Sequence, residues 1–402
     1  MTDPTVRLAD LTTLRVGGTA HTVVSPATPQ ELIEAVGELW ASGEEVLLLG
    51  GGSNVLVGDD DFDGTVVRVV TRGIDRVSST SMPDDADDAT VRLRVQAGES
   101  WDALVAYTVA NGWTGIEALS GIPGSCGAAP IQNIGAYGQE LSSVLVSVEF
   151  LDYLTGEVER IPAADLDLGY RTSALKAGRE GLVVSIELDL ALGEPVALEA
   201  SRGRHAIAVD EADDTSDPMP AMTALSAPVA YAQLAGALGV DLGQRVPIAA
   251  LRETVLRLRA SKGMVLDAND PDSVSAGSFF TNPIVTENFA RALPEAAPRW
   301  PVDPEPETTV LPLGAVPTPA PAREYLVKLS AAWLIEHAGV GRGFTLPGSR
   351  AAVSSKHTLA LTNRGGATAA EISELARYIQ TRVMSEFGVR LHPEPVLVNT
   401  AL

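Results

Sequence analysis

The spacing of apolar residues predicts a helix near the start of the chain. Thr28 can cap this helix, Pro29 suits its first position, and Glu31 completes a capping box. Its apolar stripe consists of Leu32, Ile33, Val36, Leu39 and Trp40. The apolar run of residues 46–49 follows as a short buried strand, and it leads directly into a glycine turn.

The same periodicities predict the other main elements. Helices are expected at residues 100–112, 246–260 and 370–387, the last of which ends at Gly388. Strands are expected at residues 64–70, 91–97, 144–153 and 181–190. Three stretches are predicted to lack regular structure: a polar acidic loop at 78–90, an acidic linker or insertion at 200–220, and a proline-dense extended loop at 294–321.

Strands and helices do not alternate steadily, so a doubly wound sheet is not expected. The run from Gly339 to Gly343 does not fit G-x-G-x-x-G at its last position, and the chain holds no P-loop motif. A nucleotide site in this chain would therefore be neither of the Rossmann nor of the Walker type.

Composition and charge restrict the functions that are possible for this chain. The chain has 402 residues, 45% of them hydrophobic, and its 29 Lys+Arg against 52 Asp+Glu give a net charge of −23. This charge argues against nucleic acid as a partner, because phosphate neutralisation requires a basic surface. A single cysteine excludes an intrachain disulfide. We expect neither a signal peptide nor a membrane span, and we expect a cytoplasmic protein.

Two glycine-rich segments carry the candidate chemistry, LGGGSN at residues 49–54 and GIPGSCGAAPIQNIGAYG at residues 121–138. Glycines let backbone N–H groups approach a ligand closely and form anion-binding nests. Gln132 and Asn133 can each donate and accept hydrogen bonds, as the edge of a heteroaromatic ring requires. The two segments together favour a large, partly flat, phosphate-bearing cofactor, while an ordinary tight turn is the alternative for the first segment.

These residues resemble the UDP-N-acetylenolpyruvoylglucosamine reductases. The likeness continues through LTTLRVGGTA, GYRTSALK, ASKGMVLDA, SAGSFFTNP, KLSAAWLIEHAG and LHPEPV, and so spans nearly the whole chain. It implies an α+β fold in which a vanillyl-alcohol-oxidase-type (non-Rossmann) FAD-binding domain is followed by an α+β substrate-binding domain. The implied divisions are FAD-binding subdomains at 1–72 and 73–199, the acidic linker or insertion at 200–229, and the substrate domain at 230–402.

The resemblance implies FAD as the cofactor and no metal. Neither glycine segment contains a histidine, so FAD is expected to be bound non-covalently. Cys126 is expected to be a small packing residue, with a redox-active thiol as the alternative. The residues expected to contact FAD are Gly50, Gly51, Gly52, Ser53, Asn54, Gly121, Ser125, Gly127, Pro130, Gln132, Asn133, Gly135, Ala136, Tyr137 and Val184.

The reaction that the resemblance implies is the reduction of an enol ether that carries a carboxylate. NADPH reduces FAD, and flavin N5 then delivers hydride to the enolpyruvyl methylene carbon of UDP-N-acetylglucosamine enolpyruvate. Arg171 matches the arginine that stabilises the developing charge, Ser278 the proton donor, and Glu394 the catalytic carboxylate. Without the resemblance, the sequence would favour surface positions for Arg171 and Glu394, and a turn or strand position for Ser278.

Further positions match substrate contacts of the family, namely Tyr231, Lys262, Asn282, Lys328 and His337. Core packing is the alternative for Tyr231. Thr281 and His337 depart from the family, in which lysine and glutamine are common at these positions. The arginines of the 246–260 helix, Arg252, Arg257 and Arg259, are expected on its solvated face.

Two other functions remain open on the sequence. An oxidase of the same fold would have no reason for Lys262 or for the motif around Ser278, and a non-catalytic FAD or nucleotide binder would not need Arg171, Ser278 and Glu394 together. The expected partner is a UDP-sugar small molecule, and the expected state is a monomer.

Overall fold

The computed structural model describes residues 6–77, 90–197, 222–302 and 325–402. The helices in these ranges are α1 (Pro29–Ser42), α2 (Trp101–Ala110), α3 (Ala232–Leu238), α4 (Ile248–Ala260), α5 (Glu287–Arg291), α6 (Ala331–His337) and α7 (Ala369–Phe387). Residues 78–89 of the acidic loop predicted at 78–90, the acidic stretch at 200–220 and the proline-dense residues 303–321 lie outside the described residues, while Thr90 belongs to strand β7.

The strands are short except in one large sheet. They are β1 (Val6–Arg7), β2 (Thr19–Val24), β3 (Val46–Leu49), β4 (Val55–Val57), β5 (Phe62–Arg68), β6 (Ile74–Val77), β7 (Thr90–Gln96), β8 (Trp113–Thr114), β9 (Gly135–Ala136), β10 (Gln139–Glu140), β11 (Leu145–Asp152), β12 (Val158–Pro162), β13 (Gly181–Leu192), β14 (Pro195–Ala197), β15 (Met222–Ala224), β16 (Ser275–Ser278), β17 (Ile284–Thr286), β18 (Arg299–Val302), β19 (Leu326–Leu329), β20 (Ala351–Val353), β21 (Ala360–Asn363) and β22 (Val396–Val398).

The chain folds into two compact units, each built from separated segments. Unit 1 comprises Met1–Thr22, Gly52–Asp63 and Lys262–Leu402, and unit 2 comprises Val23–Gly51 and Gly64–Ser261. The chain therefore passes from one unit to the other within the first glycine segment, between Gly51 and Gly52. The functional domain boundaries expected from the sequence stay a prediction.

Unit 2 is organised around an antiparallel sheet in the order β12-β11-β13-β7-β6, with β8 paired to the end of β13. Its central strand β13 begins as an apolar run and alternates apolar and polar residues from residue 185 to residue 190. Ile186 and Leu188 pack into a core with Trp101 and Leu104 of α2. Leu182 and Val184 pack on the opposite face, in a core that includes α1 and the parallel pair β3–β5.

Helix α1 follows the predicted capping pattern. The Thr28 side chain accepts the Glu31 N–H at 3.2 Å, and the Glu31 carboxylate accepts the Thr28 N–H at 3.2 Å. Leu32 and Val36 are fully buried. Burial of each such side chain contributes about 1.5–3 kcal/mol, so packing outweighs the cap, which contributes about 1 kcal/mol.

Unit 1 contains two antiparallel three-stranded sheets, β16-β21-β20 and β17-β19-β18, and the parallel pair β22–β4. Helix α7 begins with a second capping box, formed by Thr368 and Glu371, and ends at Gly388, whose φ is +67°. Its buried side chains pack with two consecutive phenylalanines, Phe279 and Phe280, in one core.

The structure corrects two expectations from the sequence and adds detail to the predicted linker. Residues 299–302 form a strand inside the predicted extended loop, because Pro301 lies on an edge strand of the β17-β19-β18 sheet, where a missing N–H is tolerated. Residues 222–224, predicted to belong to the linker, pair with β14 as a strand. Helix α4 begins at Ile248, two residues later than predicted, with Pro247 at its N-cap.

Candidate active site

The two glycine-rich segments meet within unit 2. A Cβ added at Gly51 would lie 2.7 Å from the Cα of Gly124, and one added at Gly50 would collide with the Ser125 hydroxyl. The backbone contact excludes a side chain at residue 51, while a side chain at residue 50 would require the Ser125 hydroxyl to move. The first segment thus needs its glycines for backbone packing against the second.

The second segment is anchored to the large sheet by its own backbone. The N–H groups of Cys126 and Gly127 donate to the carbonyls of Glu99 and Ala97, both at 2.8 Å. A Cβ at Gly127 would lie 2.5 Å from that of Ala97. Cys126 is fully buried in the core with α2, and burial raises the pKa of its thiol, which confirms the packing role.

Several of the residues expected to contact FAD lie along residues 121–138. Gly121 and Gly124 have positive φ values of +73° and +120°, and Asn133 and Tyr137 are non-glycine residues with φ of +46° and +49°. Residues with positive φ occur in anion-binding nests, where they help to direct main-chain N–H groups toward a ligand. Pro130 and Val184 are buried, and the Val184 side chain packs in the core with α1.

The Asn133 side chain is 1% exposed and bonds to three other places in unit 2. Its Oδ1 accepts the N–H of Ser142 at 2.9 Å, and its Nδ2 donates to the carbonyl of Gly169 at 3.1 Å. Longer contacts of 3.4 Å join Nδ2 to Glu140 Oε2 and Ser142 Oγ. Asn133 thus links the glycine-rich segment to the tight turn that carries Arg171.

Arg171 lies at the tip of that turn, in which Gly169 and Thr172 are paired. Its φ of +56° is unusual for a non-glycine residue. Its guanidinium donates to the carbonyl of Asn133 at 3.3 Å and to that of Gly135 at 2.5 Å. Both acceptors are main-chain carbonyls of the glycine-rich segment, so this segment orients the guanidinium.

Tyr231 and Tyr137 form an edge-on aromatic pair, with ring centroids 5.7 Å apart and an interplanar angle of 84°. Tyr231 is 45% exposed at the N-cap of α3, so a plain core role does not describe it. Burial raises the pKa of Tyr137, while the charge of Arg259 lowers it. Burial lowers the pKa of Arg259, and the positive charge of Arg171 lowers it further.

Sequence reasoning misplaced two arginines of α4. Arg252 makes a bidentate ion pair with Asp102 of α2, at 2.6 and 2.9 Å, and Arg259 is partly buried near Tyr137. Arg257 alone among the three is largely exposed, as expected. Asp102 also accepts the N–H of Gly121 at 2.6 Å, so it connects α4 to the glycine-rich segment.

Glu117 was not predicted and is fully buried. Its two carboxylate oxygens accept the N–H groups of Gly115 and Ala227, each at 2.6 Å. Glu117 therefore fixes the segment that leads to Tyr231. The only sequence signal for it was an acidic residue within an otherwise apolar stretch, GWTGIEALSG.

Unit 1 brings together Ser278, Glu394 and Asn54. Ser278 ends β16, directly after Gly277, whose φ is +74°. The N–H of Glu394 donates to the carbonyl of Phe279 at 2.9 Å, and Asn54 Nδ2 donates to the carbonyl of Glu394 at 3.3 Å. The predicted proton donor and the predicted carboxylate thus lie on adjacent backbone segments.

The other predicted substrate contacts in unit 1 are more dispersed. Asn282 Oδ1 accepts the N–H of Ala331 at 3.0 Å and so caps the region where α6 begins. Lys328 lies in the central strand β19, paired with Ile284 and Trp300. His337 is exposed at the end of α6, where its ring stacks on Trp333 at 3.7 Å. Lys262 is partly buried.

The residues of unit 2 fit a flavin nucleotide. Residues 121–138 carry no charged side chain, and their bare backbone turns provide neutral N–H donors for a diphosphate. Among the described residues, no helix is long and apolar enough to cross a membrane.

Comparisons with known proteins agree with this description. The model of an FAD binding domain matches residues 20–162, and the model described as UDP-N-acetylenolpyruvoylglucosamine reductase, C-terminal domain, matches residues 270–398. The UDP-N-acetylenolpyruvoylglucosamine reductase of Leifsonia xyli is 58% identical and covers 100% of both chains. That of Saccharopolyspora erythraea is 47% identical, over 98% of this chain and 95% of the relative.

A solved structure shows the same fold. The crystal structure of the reductase from Thermus caldophilus aligns with a TM-score of 0.56 at 23% identity, over 98% of each chain. Together with the matched FAD binding domain, this confirms the predicted α+β fold with a vanillyl-alcohol-oxidase-type FAD domain. The protein is an FAD-dependent oxidoreductase. The chain belongs to the UDP-N-acetylenolpyruvoylglucosamine reductase family.

Proposed function

We propose that the protein reduces UDP-N-acetylglucosamine enolpyruvate to UDP-N-acetylmuramate in peptidoglycan precursor synthesis, with NADPH as the hydride donor. Relatives named for this activity match the whole chain, which supports the assignment. The structural observation that carries it is the orientation of Arg171 by the carbonyls of Asn133 and Gly135.

Arg171 is proposed to bind the substrate carboxylate. A guanidinium can donate two parallel hydrogen bonds to a carboxylate and stays charged at all relevant pH values. Negative charge that builds on the carbon next to the carboxylate spreads into it as the double bond is reduced. Arg171 therefore stabilises the transition state more than the bound substrate, which is the requirement for catalysis.

FAD, when bound and reduced, supplies the hydride that the enolpyruvyl methylene carbon receives. Ser278 is proposed to supply the proton that the neighbouring carbon requires, so that hydride and proton together saturate the double bond. Serine is a weak acid, but a carbanion next to a carboxylate is a strong base. Phe279 and Phe280, which follow Ser278, are fully buried, so its backbone rests on a rigid core.

Glu394 is proposed to stabilise the same negative charge that develops next to the substrate carboxylate. In its neutral form, its carboxyl group donates a hydrogen bond to the developing enolate. Its main chain is held by Phe279 and Asn54, so Glu394 and Ser278 keep a fixed relation to each other. Two polar groups tied to one backbone region are suited to a reaction that needs a proton at one defined atom.

The UDP part of the substrate is assigned to the remaining predicted residues. Lys262 and Lys328 are proposed to bind the diphosphate, and Tyr231, Asn282 and His337 to contact other parts of the nucleotide sugar. A net charge of −23 makes such local cations necessary, because the overall field repels an anionic ligand. The expected domain roles, the cytoplasmic location and the monomeric state also stay predictions.

One anaerobic titration of the desalted holoprotein tests both half-reactions. NADPH is added first and UDP-N-acetylglucosamine enolpyruvate second, while the flavin absorbance is followed. We expect bleaching by NADPH and recolouring by the enol ether. A protein that bleaches but is not recoloured by the enol ether would overturn the proposed substrate.

A further inference from the structure

The turn that carries Arg171 is held by the glycine-rich segment at several points. Ser173 Oγ donates to the carbonyl of Ile131 at 2.5 Å, and Asn133 Nδ2 donates to the carbonyl of Gly169 at 3.1 Å. These two bonds lie on either side of Arg171. These bonds therefore attach the turn to residues 131–133 independently of the contacts of the Arg171 guanidinium.

The orientation of the Asn133 amide follows from its partners. The main-chain N–H of Ser142 can only donate, so the atom that faces it at 2.9 Å is the amide oxygen. The amide nitrogen then faces Gly169, Glu140 and Ser142 Oγ. Both amide hydrogens are directed at protein acceptors, which is the arrangement of a group that fixes other parts of the protein.

Arg171 needs this external support. Its φ of +56° lies in the left-handed region, which is unfavourable for a residue with a Cβ and persists only where the surroundings impose it. Asn133 has a φ of +46°, a conformation that asparagine tolerates better than most residues. The Asn133 amide holds the turn at Gly169, and the Arg171 guanidinium donates to the main-chain carbonyl of Asn133.

We propose that Asn133 is a positioning residue for Arg171, which fixes the turn through Gly169 and orients the guanidinium through its own carbonyl. This inference rests on the proposed role of Arg171. Asn133 then couples the segment that holds FAD to the arginine that binds the substrate carboxylate. Its loss should slow reduction of the enol ether more than it slows reduction of the flavin by NADPH.

Asn133→Asp tests the proposal with little change in shape. Aspartate tolerates the positive φ and keeps the acceptor for Ser142, but it loses the donor and places a carboxylate oxygen against the Gly169 carbonyl. Asn133→Gly removes the whole side chain without backbone strain, and it serves if the aspartate variant does not fold.

Asn363→Asp is the matched control in unit 1. Asn363 is also buried, donates to the carbonyls of Leu14 and Arg15 at 3.2 and 3.0 Å, and accepts two N–H groups at 2.9 Å. The control therefore removes a comparable buried donor at a place remote in sequence from Arg171. It should not change either half-reaction.

The first readout is the rate of each half-reaction in the holoenzyme. For Asn133→Asp we expect reoxidation by the enol ether to slow about 10–100-fold, the effect of misplacing a catalytic group by about 1 Å. Reduction by NADPH should slow by a much smaller factor, so the ratio of the two rates should fall. In an Arg171→Ala background, Asn133→Asp should change reoxidation by less than about twofold, because the two residues act as one unit.

The second readout is amide hydrogen exchange of residues 166–176, which does not depend on activity. We expect faster exchange there in both Asn133 variants than in the wild type or in Asn363→Asp. Unchanged exchange in a folded variant, or equal slowing of reoxidation with and without Arg171, would overturn the inference. Faster exchange together with normal reoxidation by Arg171→Ala would support the anchoring and overturn the catalytic role of Arg171 instead.

Discussion

The Arg171 guanidinium donates to the main-chain carbonyl of Gly135 at 2.5 Å, although 36 positions separate the two residues in the chain. This carbonyl orients the guanidinium by accepting a hydrogen bond from one of its N–H groups. The same segment supplies the bare backbone expected to lie against FAD. The residues assigned to the cofactor and the residue assigned to the substrate carboxylate are therefore parts of one hydrogen-bonded structure.

The Arg171→Lys variant should distinguish the effect of the positive charge from that of the guanidinium geometry. A lysine keeps the positive charge, but it cannot donate to two carbonyls and a carboxylate in one plane. We expect reoxidation of the reduced enzyme by the enol ether to slow by about 10²–10³-fold, as for the loss of a preorganised transition-state donor. Stopped-flow absorbance measures this rate, and Arg257→Lys on the exposed face of α4 is the control. A variant that reoxidises at the wild-type rate would show that charge alone suffices.

Gly135→Ala should disturb the same contact from the other side. An added Cβ would lie 2.8 Å from Glu140 Cγ and 3.2 Å from Arg171 Nη1, so the guanidinium or the segment must move. We expect slower reoxidation by the enol ether, by about tenfold or more. Single-turnover absorbance after complete reduction measures it.

Gly37→Ala in α1 is the matched control for that substitution. A Cβ at Gly37 would meet no atom within 4 Å, and the residue lies inside a helix. The alanine should therefore raise the free energy of unfolding by about 0.5–1 kcal/mol and leave both half-reactions unchanged. Normal reoxidation in Gly135→Ala would contradict the close packing of Gly135 against Arg171.

Ser278→Ala should block product formation without releasing FAD. The variant loses the proposed proton donor, while its backbone pairing with Ala360 in the β16–β21 sheet remains possible. We expect NADPH to bleach the flavin at the normal rate and the enol ether to recolour it at least about 10²-fold more slowly. Ser42→Ala, at the exposed end of α1, should behave as the wild type. Normal turnover by Ser278→Ala would remove Ser278 from the mechanism.

Capping residues and a terminating glycine in the sequence predicted helix ends that depend only on neighbouring residues. Helices α1 and α7 both begin with capping boxes, of which the one at Thr28 was predicted, and α7 ends at Gly388 as expected. Strand β18 was missed because a proline argues against a central strand, whereas this one lies at a sheet edge. A sequence pattern shows that a strand has two faces, but not whether it has two neighbours.

The candidate site also depends on tertiary neighbours that the sequence pattern does not show. Periodicity placed Arg252 and Arg259 on the polar face of α4, but it does not reveal what covers that face. Asp102, 150 positions away, covers Arg252. The motif GYRTS identified Arg171 by resemblance, while the left-handed conformation and the bond to Gly135 depend on how residues 131–135 are folded. Motifs thus predicted which residues matter, and the tertiary structure showed what holds them.

Asp272→Asn should change how the stability of the protein depends on pH. Asp272 is 3% exposed, and its carboxylate accepts the N–H of Ser355 at 2.8 Å and its hydroxyl at 2.6 Å, with Arg364 at 3.0 Å. Burial alone raises the pKa of this carboxyl, but the hydrogen bonds from Ser355 and the charge of Arg364 bring the pKa below its ordinary value.

The lowered pKa of Asp272 determines how its contribution to stability changes with pH. A carboxyl whose pKa is lower in the folded state stabilises the protein above its unfolded pKa, about 3.9, and this contribution is lost as pH falls through the folded pKa. At pH 7 we expect Asp272→Asn to lower the free energy of unfolding by about 1–3 kcal/mol, the value of hydrogen bonds to a buried charged group. The difference from the wild type should shrink below about pH 4.

Urea unfolding at a series of pH values measures this difference. The control is Asp10→Asn, in an exposed ion pair with Arg7, which should show a difference of less than about 1 kcal/mol throughout. A difference that stayed constant down to acid pH would mean that Asp272 contributes through packing and not through its charge.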